Sequence, residues 1–162
     1  MRPYIGSSSK HIALLKMLKD EALPALVFCH FREEIDILSK LLGEETVTYA
    51  RFDGKTSHLD RATLIRNLTL PDFCPPQVLL VQITAGGVGL NLQRYSRVYL
   101  MSADWNPSNE IQAIGRAYRL GQTQPVKVRR LVLCDPQDEF SVIDKRIGDI
   151  QLVKRELMGN LL

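Results

Sequence analysis

Three cysteines in 162 residues, Cys29, Cys74 and Cys134, are too few and too scattered to frame a disulfide scaffold, and none has metal-ligand spacing. Cys29 and Cys134 lie inside apolar runs, so buried thiols in a reducing compartment are expected. No run of about 18 apolar residues exists, which removes the expectation of a membrane span. The opening residues Met1-Arg2-Pro3-Tyr4-Ile5-Gly6 lack the apolar centre of a secretory leader, so an intracellular protein is expected. The Asn67-Leu68-Thr69 triplet then says nothing about glycosylation. There is one tryptophan, Trp105, and no excess of charge: 21 Lys and Arg against 18 Asp and Glu leave a formal +3. That balance permits nucleic-acid binding without arguing for it. Repeats and low-complexity segments are missing as well.

What is present is apolar bulk, 45% of the chain, enough for the core of one ordinary domain. It is patterned as alternating helix and strand. Ser9 is placed to cap a helix over residues 10–20 with Ile12, Leu15 and Leu18 inward, and Pro24 closes that region. The run from Ala25 to Phe31 is too short for a stable helix and reads as a strand buried on both faces. Ile35, Leu38, Leu41 and Leu42 predict a second helix ending at Gly43. Residues 47–52 read as strand, Asp53-Gly54 as turn, and 58–69 as a helix with Leu59, Ala62, Ile65 and Leu68 inward. After a loop over 71–76 come a strand at 78–81, a glycine-rich turn at 84–92 and a strand at 98–101. A helix opening at Pro107 and a last strand over 126–134 follow. From about Phe140 a long helix carries Ile143, Ile147, Ile150, Leu157 and Leu161 on one stripe.

Such alternation implies right-handed crossovers and a parallel α/β sheet covered on both faces. Ligands of these sheets sit beyond the carboxyl ends of the strands. His30-Phe31-Arg32, Asp53-Gly54-Lys55, Gly86-Gly87-Val88-Gly89 and Asp104-Trp105-Asn106 are all expected at that edge. His30 reads as a structural polar residue, and His11 and His58 have no evident partners.

The most informative stretch runs from Asn106 to Gln122. Asn106 is a good N-cap and Pro107 suits the first helical position. At about 100° per residue, Gln112, Arg116 and Arg119 fall within an arc of roughly 60°, and Ile111, Ile114 and Tyr118 cluster on another face. One face is therefore expected to be buried. The other presents two guanidiniums, which repel unless an anion lies between them. Gln122-Thr123-Gln124 reads as a polar turn, with phosphate positioning as the alternative.

Two further stretches bear on ligands. Thr84-Ala85-Gly86-Gly87-Val88-Gly89-Leu90-Asn91-Leu92 follows a buried strand, and glycines there let a backbone approach a phosphate closely. Asn91, between two leucines, points away from the core. Trp105 either caps the core or offers an exposed ring to a nucleotide or partner. By contrast, Gly54-Lys55-Thr56 is not a P-loop. That loop needs a glycine five positions earlier, where Tyr49 stands inside a strand. Nothing else supplies a phosphate-cradling lysine loop or a carboxylate for Mg²⁺, so the chain alone lacks the parts for phosphoryl transfer.

With these residues in view, the chain resembles the second RecA-like lobe of superfamily 2 helicases, and more closely that of Swi/Snf-type DNA translocases. Asp53-Gly54-x-Thr56 with Arg61 downstream resembles the motif after the family's second strand. AGGVGLNL over 85–92 resembles its fifth motif, and WNP at 105–107 with QAIGRAYRLGQ at 112–122 its sixth. The last helix resembles the brace helix that packs across the first lobe. The chain departs from the pattern at three places. Gly115 stands where an acidic residue is usual, Tyr118 where a histidine is usual, and Gln82-Ile83-Thr84 replaces a Ser-Thr-Lys-like triplet, which weakens a phosphate contact at 83 or 84.

The resemblance implies a single three-layer RecA-like α/β domain with a mostly parallel sheet. It divides into a lead-in over 1–8, the lobe over 9–137 and a brace helix over 138–162. It further implies that Arg116 and Arg119 reach ATP held with Mg²⁺ mainly by a separate first lobe, Arg119 as the arginine finger and Gln112 in support. Gly89 and Asn91 would line the nucleotide cleft, while Arg32, Lys55, Gly86, Gly87 and Trp105 would face the backbone of double-stranded DNA. The implied partners are the N-terminal lobe and that duplex, in the nucleus of a eukaryote or otherwise in the cytoplasm or a viral compartment. A stand-alone nucleic-acid or partner-binding module without enzymatic activity, and a lobe of an RNA helicase, are the alternatives.

Overall fold

A computed structural model describes residues 8–21, 24–85, 90–133 and 147–152. The first helix, α1 (Ser9–Asp20), is capped one residue earlier than its sequence suggests. Ser8 holds the extended cap conformation, and its N–H donates to His11 Nδ1 at 2.9 Å. His11 thus has a partner and is a buried structural residue. The inward face is Leu14, Leu15 and Leu18, with Ile12 exposed.

Strand β1 (Ala25–Cys29) is buried at all five positions, and stops short of Phe31 for a local reason. Glu34 Oε2 accepts from the N–H groups of His30 (3.0 Å) and Phe31 (3.1 Å), committing both to the start of α2 (Arg32–Glu44). Helix α2 does not end at Gly43. The left-handed residue is Thr46 (φ 56), flanked by the pair Thr46 N–H to Gly43 O and Val47 N–H to Leu42 O. That is a Schellman stop built on a threonine instead of the usual glycine.

Strand β2 (Tyr49–Phe52) leads through the Asp53 turn to α3 (His58–Thr69), where the Ser57 side chain accepts from Asp60 N–H. Helix α3 rests on Leu68, with Leu64 and Ile65 partly buried; Leu59 and Ala62, expected inward, are exposed. Strands β3 (Val78–Gln82) and β4 (Arg97–Leu100) follow, then α4 (Pro107–Ala117) and β5 (Lys127–Arg130). Strand β5 is exposed along its length and shorter than its apolar run implied; Cys134 lies outside the described residues. A basic, exposed edge strand of this kind discourages pairing with another sheet.

All pairings are parallel, in the order β2-β3-β1-β4-β5. Alternate residues of β1, β3 and β4 serve two cores, as expected for strands covered on both faces. Val27, Cys29, Leu80 and Tyr99 pack beneath α1 and α2, while Leu26, Phe28, Leu79, Val98 and Leu100 pack beneath α3 and α4. The three-layer α/β architecture inferred from the sequence is the one observed. Burial pushes the Cys29 thiol well above its ordinary value, consistent with an inert core residue. Residues 147–152 are helical, with Ile147 buried and Ile150 exposed; Ile143, Leu157 and Leu161 lie outside the described residues.

Candidate functional site

Because every strand is parallel, the exits of β1, β2, β3 and β4 lie along one edge of the sheet. From β1 the chain crosses to the β2 side, and from β4 it crosses to the β5 side. The crevice between their carboxyl ends is the point where strand order reverses, the usual ligand position in such folds. Here the chain's own polar groups occupy it. His30 Nδ1 stands 3.5 Å from Asp104 Oδ2, and Ser102 Oγ donates to Glu34 Oε1. The reading of His30 as a structural polar residue fits this place beside Asp104. Candidate ligand groups lie on either side of this plug.

On one side is α4. Asn106 Oδ1 accepts from Ser108 N–H at 3.1 Å with Pro107 at the first helical position, the cap read from the sequence. The faces differ from expectation. The helix buries Pro107, Glu110, Ala113 and Ala117 and leaves Ile111 and Tyr118 55% and 72% exposed. Small residues let α4 lie close to the sheet; of the three apolar residues expected inward, only Ile114 packs against the core, partly buried, and Ile111 and Tyr118 turn outward. Helix geometry also stops short of Arg119: Tyr118 is the C-cap, so the shared arc holds for Gln112 and Arg116 but not for Arg119.

The bonds that hold the end of α4 have no counterpart in its sequence pattern. Leu92 N–H donates to Arg116 O at 3.0 Å, and Gln122 Nε2 donates to Gln93 O (2.8 Å) and Ala117 O (3.3 Å). Gln93 Nε2 reaches Leu120 O. These bonds satisfy carbonyls that a helix end leaves open. They also make Gln122 a structural turn residue. Gln122 N–H bonds to Arg119 O, and Gly121 adopts φ +98 in the same turn. The exposed Asn91 is thereby set beside the half-buried Arg116 and the turn carrying the exposed Arg119. Gln112 is exposed on α4, and Trp105 is exposed at its start. Gly86, Gly87 and Gly89 lie outside the described residues.

On the other side Arg32 and Lys55 line one groove of about 590 Å³ with Arg51, Asp36, Asp53 and Asp60. Three cations meet three carboxylates, so the groove has no net formal charge. Arg51 is committed to Asp36 (2.6 Å) and Asp53 (2.7 Å), and Arg32 Nε lies 3.7 Å from Asp36. Lys55 projects from a turn organised by Asp53, whose Oδ1 accepts from the amides of Lys55 (2.8 Å) and Thr56 (3.2 Å). Arg61 closes the turn from below, donating to Thr56 O and Asp53 O while stacking 5.1 Å over Phe52.

Burial alone would push the Asp53 carboxyl up, but the hydrogen bonds from Arg51 and from the Lys55 and Thr56 amides outweigh it. They hold Asp53 below its ordinary 3.8. A carboxyl lowered on folding contributes stability that is complete above its unfolded value and is lost as pH falls through its folded one. Asp53→Asn is therefore expected to destabilise the chain near neutrality, with the gap to the parent closing as pH drops below about 4. Urea unfolding midpoints of both proteins across that range measure it, and a gap independent of pH would contradict it. Among the described residues no group of three His, Cys, Asp or Glu is placed to hold a metal ion.

Residues 9–121 match the family described as helicase conserved C-terminal domain. The chain belongs to that family. DNA repair protein RAD5 of Saccharomyces cerevisiae is 37% identical over 149 residues, covering 85% of this chain and 13% of RAD5. The ISWI chromatin-remodeling complex ATPase ISW1 of the same yeast is 40% identical over 147 residues, covering 91% of this chain and 13% of ISW1. The crystal structure of the C-terminal part of the Fun30 ATPase domain superposes with a TM-score of 0.78 at 30% identity, covering 93% of this chain and 47% of that one. The chain is thus a RecA-like helicase C-terminal domain of the Swi/Snf type, and it spans about 13% of the length of these curated relatives. The Arg116 and Arg119 segment of this helicase domain is the part that its fold ties to the exit of the glycine-rich turn.

Proposed function

We propose that this helicase domain is the C-terminal lobe of an ATP-dependent DNA translocase and supplies the arginines of a composite ATP site. One observation carries the reading: the Leu92–Arg116 hydrogen bond and the Gln93 and Gln122 bonds tie the exit of the glycine-rich turn, with Asn91, to the segment that carries Arg116 and Arg119. Two guanidiniums beside an amide suit the charge that spreads over a transferring phosphoryl group. In this reading Arg119 is the finger, Arg116 a second phosphate contact and Gln112 a supporting one, with Gly89 and Asn91 lining the cleft. An N-terminal lobe brings ATP and Mg²⁺, because this chain has no phosphate-cradling lysine loop. Alone it is inactive. Closure of the two lobes on ATP, and reopening after hydrolysis, would step the protein along the duplex.

In the same reading Arg32, Lys55, Gly86, Gly87 and Trp105 are the residues that meet the DNA backbone. Contacts there would be to phosphate and independent of sequence. The relatives named for DNA repair and chromatin remodelling point to a nuclear, chromatin-associated setting. The test compares ATP hydrolysis by the full-length protein with duplex DNA, single-stranded DNA and RNA. Duplex DNA is expected to stimulate well above RNA. Equal or greater stimulation by RNA would favour an RNA helicase lobe, which Gly115 in place of an acidic residue suits, and would overturn the proposal.

The neutral groove sharpens the DNA half. Lys55 is the cation there with no carboxylate within salt-bridge distance among the described residues, so it is the residue expected to neutralise a phosphate. Lys55→Ala is expected to weaken duplex binding evenly across sequences and to reduce the slope of log K against log salt by about 1. A titration of affinity against salt shows this, and an unchanged slope would remove Lys55 from the track.

A further inference from the structure

The start of α4 is held as firmly as its end, by side chains from distant parts of the chain. Glu110, in the first turn of α4, is 1% exposed, and Gln151 of the helical segment 147–152 is 2% exposed. Gln151 Nε2 donates to Glu110 Oε1 at 2.9 Å and also to Asp104 O, so one amide group spans the turn before α4 and the helix itself. Both partners are acceptors, which fixes the nitrogen as the atom facing them. Glu110 Oε1 also accepts from Asp104 N–H at 2.9 Å, and Glu110 Oε2 pairs with Arg130 of β5.

We infer that Gln151 is a positioning residue for the arginines of α4: by bridging Asp104 and Glu110 it fixes the angle at which the helix leaves the sheet edge, and so where Arg116 and Arg119 stand. This rests on the arginine reading proposed above. From Glu110 to Arg116 the helix advances about 9 Å, a lever on which a tilt of about 6° displaces the arginine by about 1 Å. Misplacement of that size costs on the order of 10²-fold where catalysis depends on alignment. Without the Gln151 amide, Glu110 keeps Arg130 and the Asp104 N–H, so the helix stays attached but loses the tie that sets its angle.

The test uses the full-length protein with Gln151→Met, which keeps the length of the side chain and removes its donor. Two quantities are read: backbone amide exchange, and kcat and KM for ATP with saturating duplex DNA. Amides of residues 110–117 are expected to exchange about tenfold faster while those of β1 and β3 stay unchanged. kcat is expected to fall about 10–100-fold with KM for ATP within about twofold, the sign of an interaction made in the transition state. Unchanged exchange in α4 would overturn the inference, as would faster exchange throughout the domain or full activity beside a loosened α4. Should Gln151→Met fail to fold, Gln151→Asn, one carbon too short to reach both acceptors, is expected to give the same selective pattern more weakly. Arg119→Ala run in parallel separates the two readings. If that variant is fully active the arginine assignment fails, and the exchange pattern alone still decides whether Gln151 sets the seat of α4.

Discussion

Arg119→Ala in the full-length protein is expected to lower DNA-stimulated ATP hydrolysis by about 10³–10⁵. Two features of the structure set that expectation. The turn carrying Arg119 is held by Gln122 N–H on its carbonyl and by Gly121 at φ +98, so the backbone is fixed while the side chain is exposed. An exposed arginine on a backbone held this way can act on charge that a neighbouring lobe delivers. Its contribution is to the transition state, so ATP affinity should change far less than kcat. Arg119→Lys should recover little, because a point charge does not replace the planar fork that grips phosphate oxygens. The corresponding loss for Arg116, half-buried and one helical turn earlier, should be smaller. Steady-state rates at saturating ATP and duplex DNA decide the matter; Arg119→Ala within about threefold of the parent would remove the finger assignment.

Glu110→Ala carries the largest expected effect on stability. It strips the shared acceptor from Arg130, Gln151 and the Asp104 N–H in a closed part of the structure. Removing one partner of a buried ion pair typically costs about 3–5 kcal/mol, against a total stability of about 5–15 kcal/mol for a domain. Arg130 is partly exposed and can turn toward water, which places the expected loss at the lower end, about 3 kcal/mol. Glu110→Gln, keeping the shape and one acceptor, should lose less. Urea unfolding of the three proteins measures the difference. A loss under about 1 kcal/mol for Glu110→Ala would show that this carboxylate does not hold the helix start.

Where a signal was local, the sequence carried it. Helix α3 runs over His58–Thr69, the residues its pattern marked, because Ser57 caps one end and the loop from Leu70 closes the other. Asn106 and Pro107 marked the start of α4 in the same way. Helix faces were less legible. Pattern reading turns the largest apolar residues inward, yet α4 approaches the sheet on Ala113 and Ala117 and exposes Ile111 and Tyr118. The Arg119 position was misread for a related reason: its helical arc assumed a helix that continues, and the segment after the glycine-rich turn ends it by taking the Arg116 carbonyl. Contacts between distant residues left no trace at all. Gln151 and Glu110 lie 41 residues apart, and Gln93 and Leu120 lie 27 apart. No periodicity or capping pattern reports such pairs, although they hold both ends of the helix on which the proposed function rests.

In the proposed function this domain is one half of an ATP site, its arginines acting only on a nucleotide that another lobe presents. The most direct measurement compares ATP hydrolysis, with saturating duplex DNA, by this chain alone, by its N-terminal lobe alone and by the two in one polypeptide. Turnover is expected from the joined lobes and none from either part. Hydrolysis by this chain alone at the rate of the joined protein would contradict it.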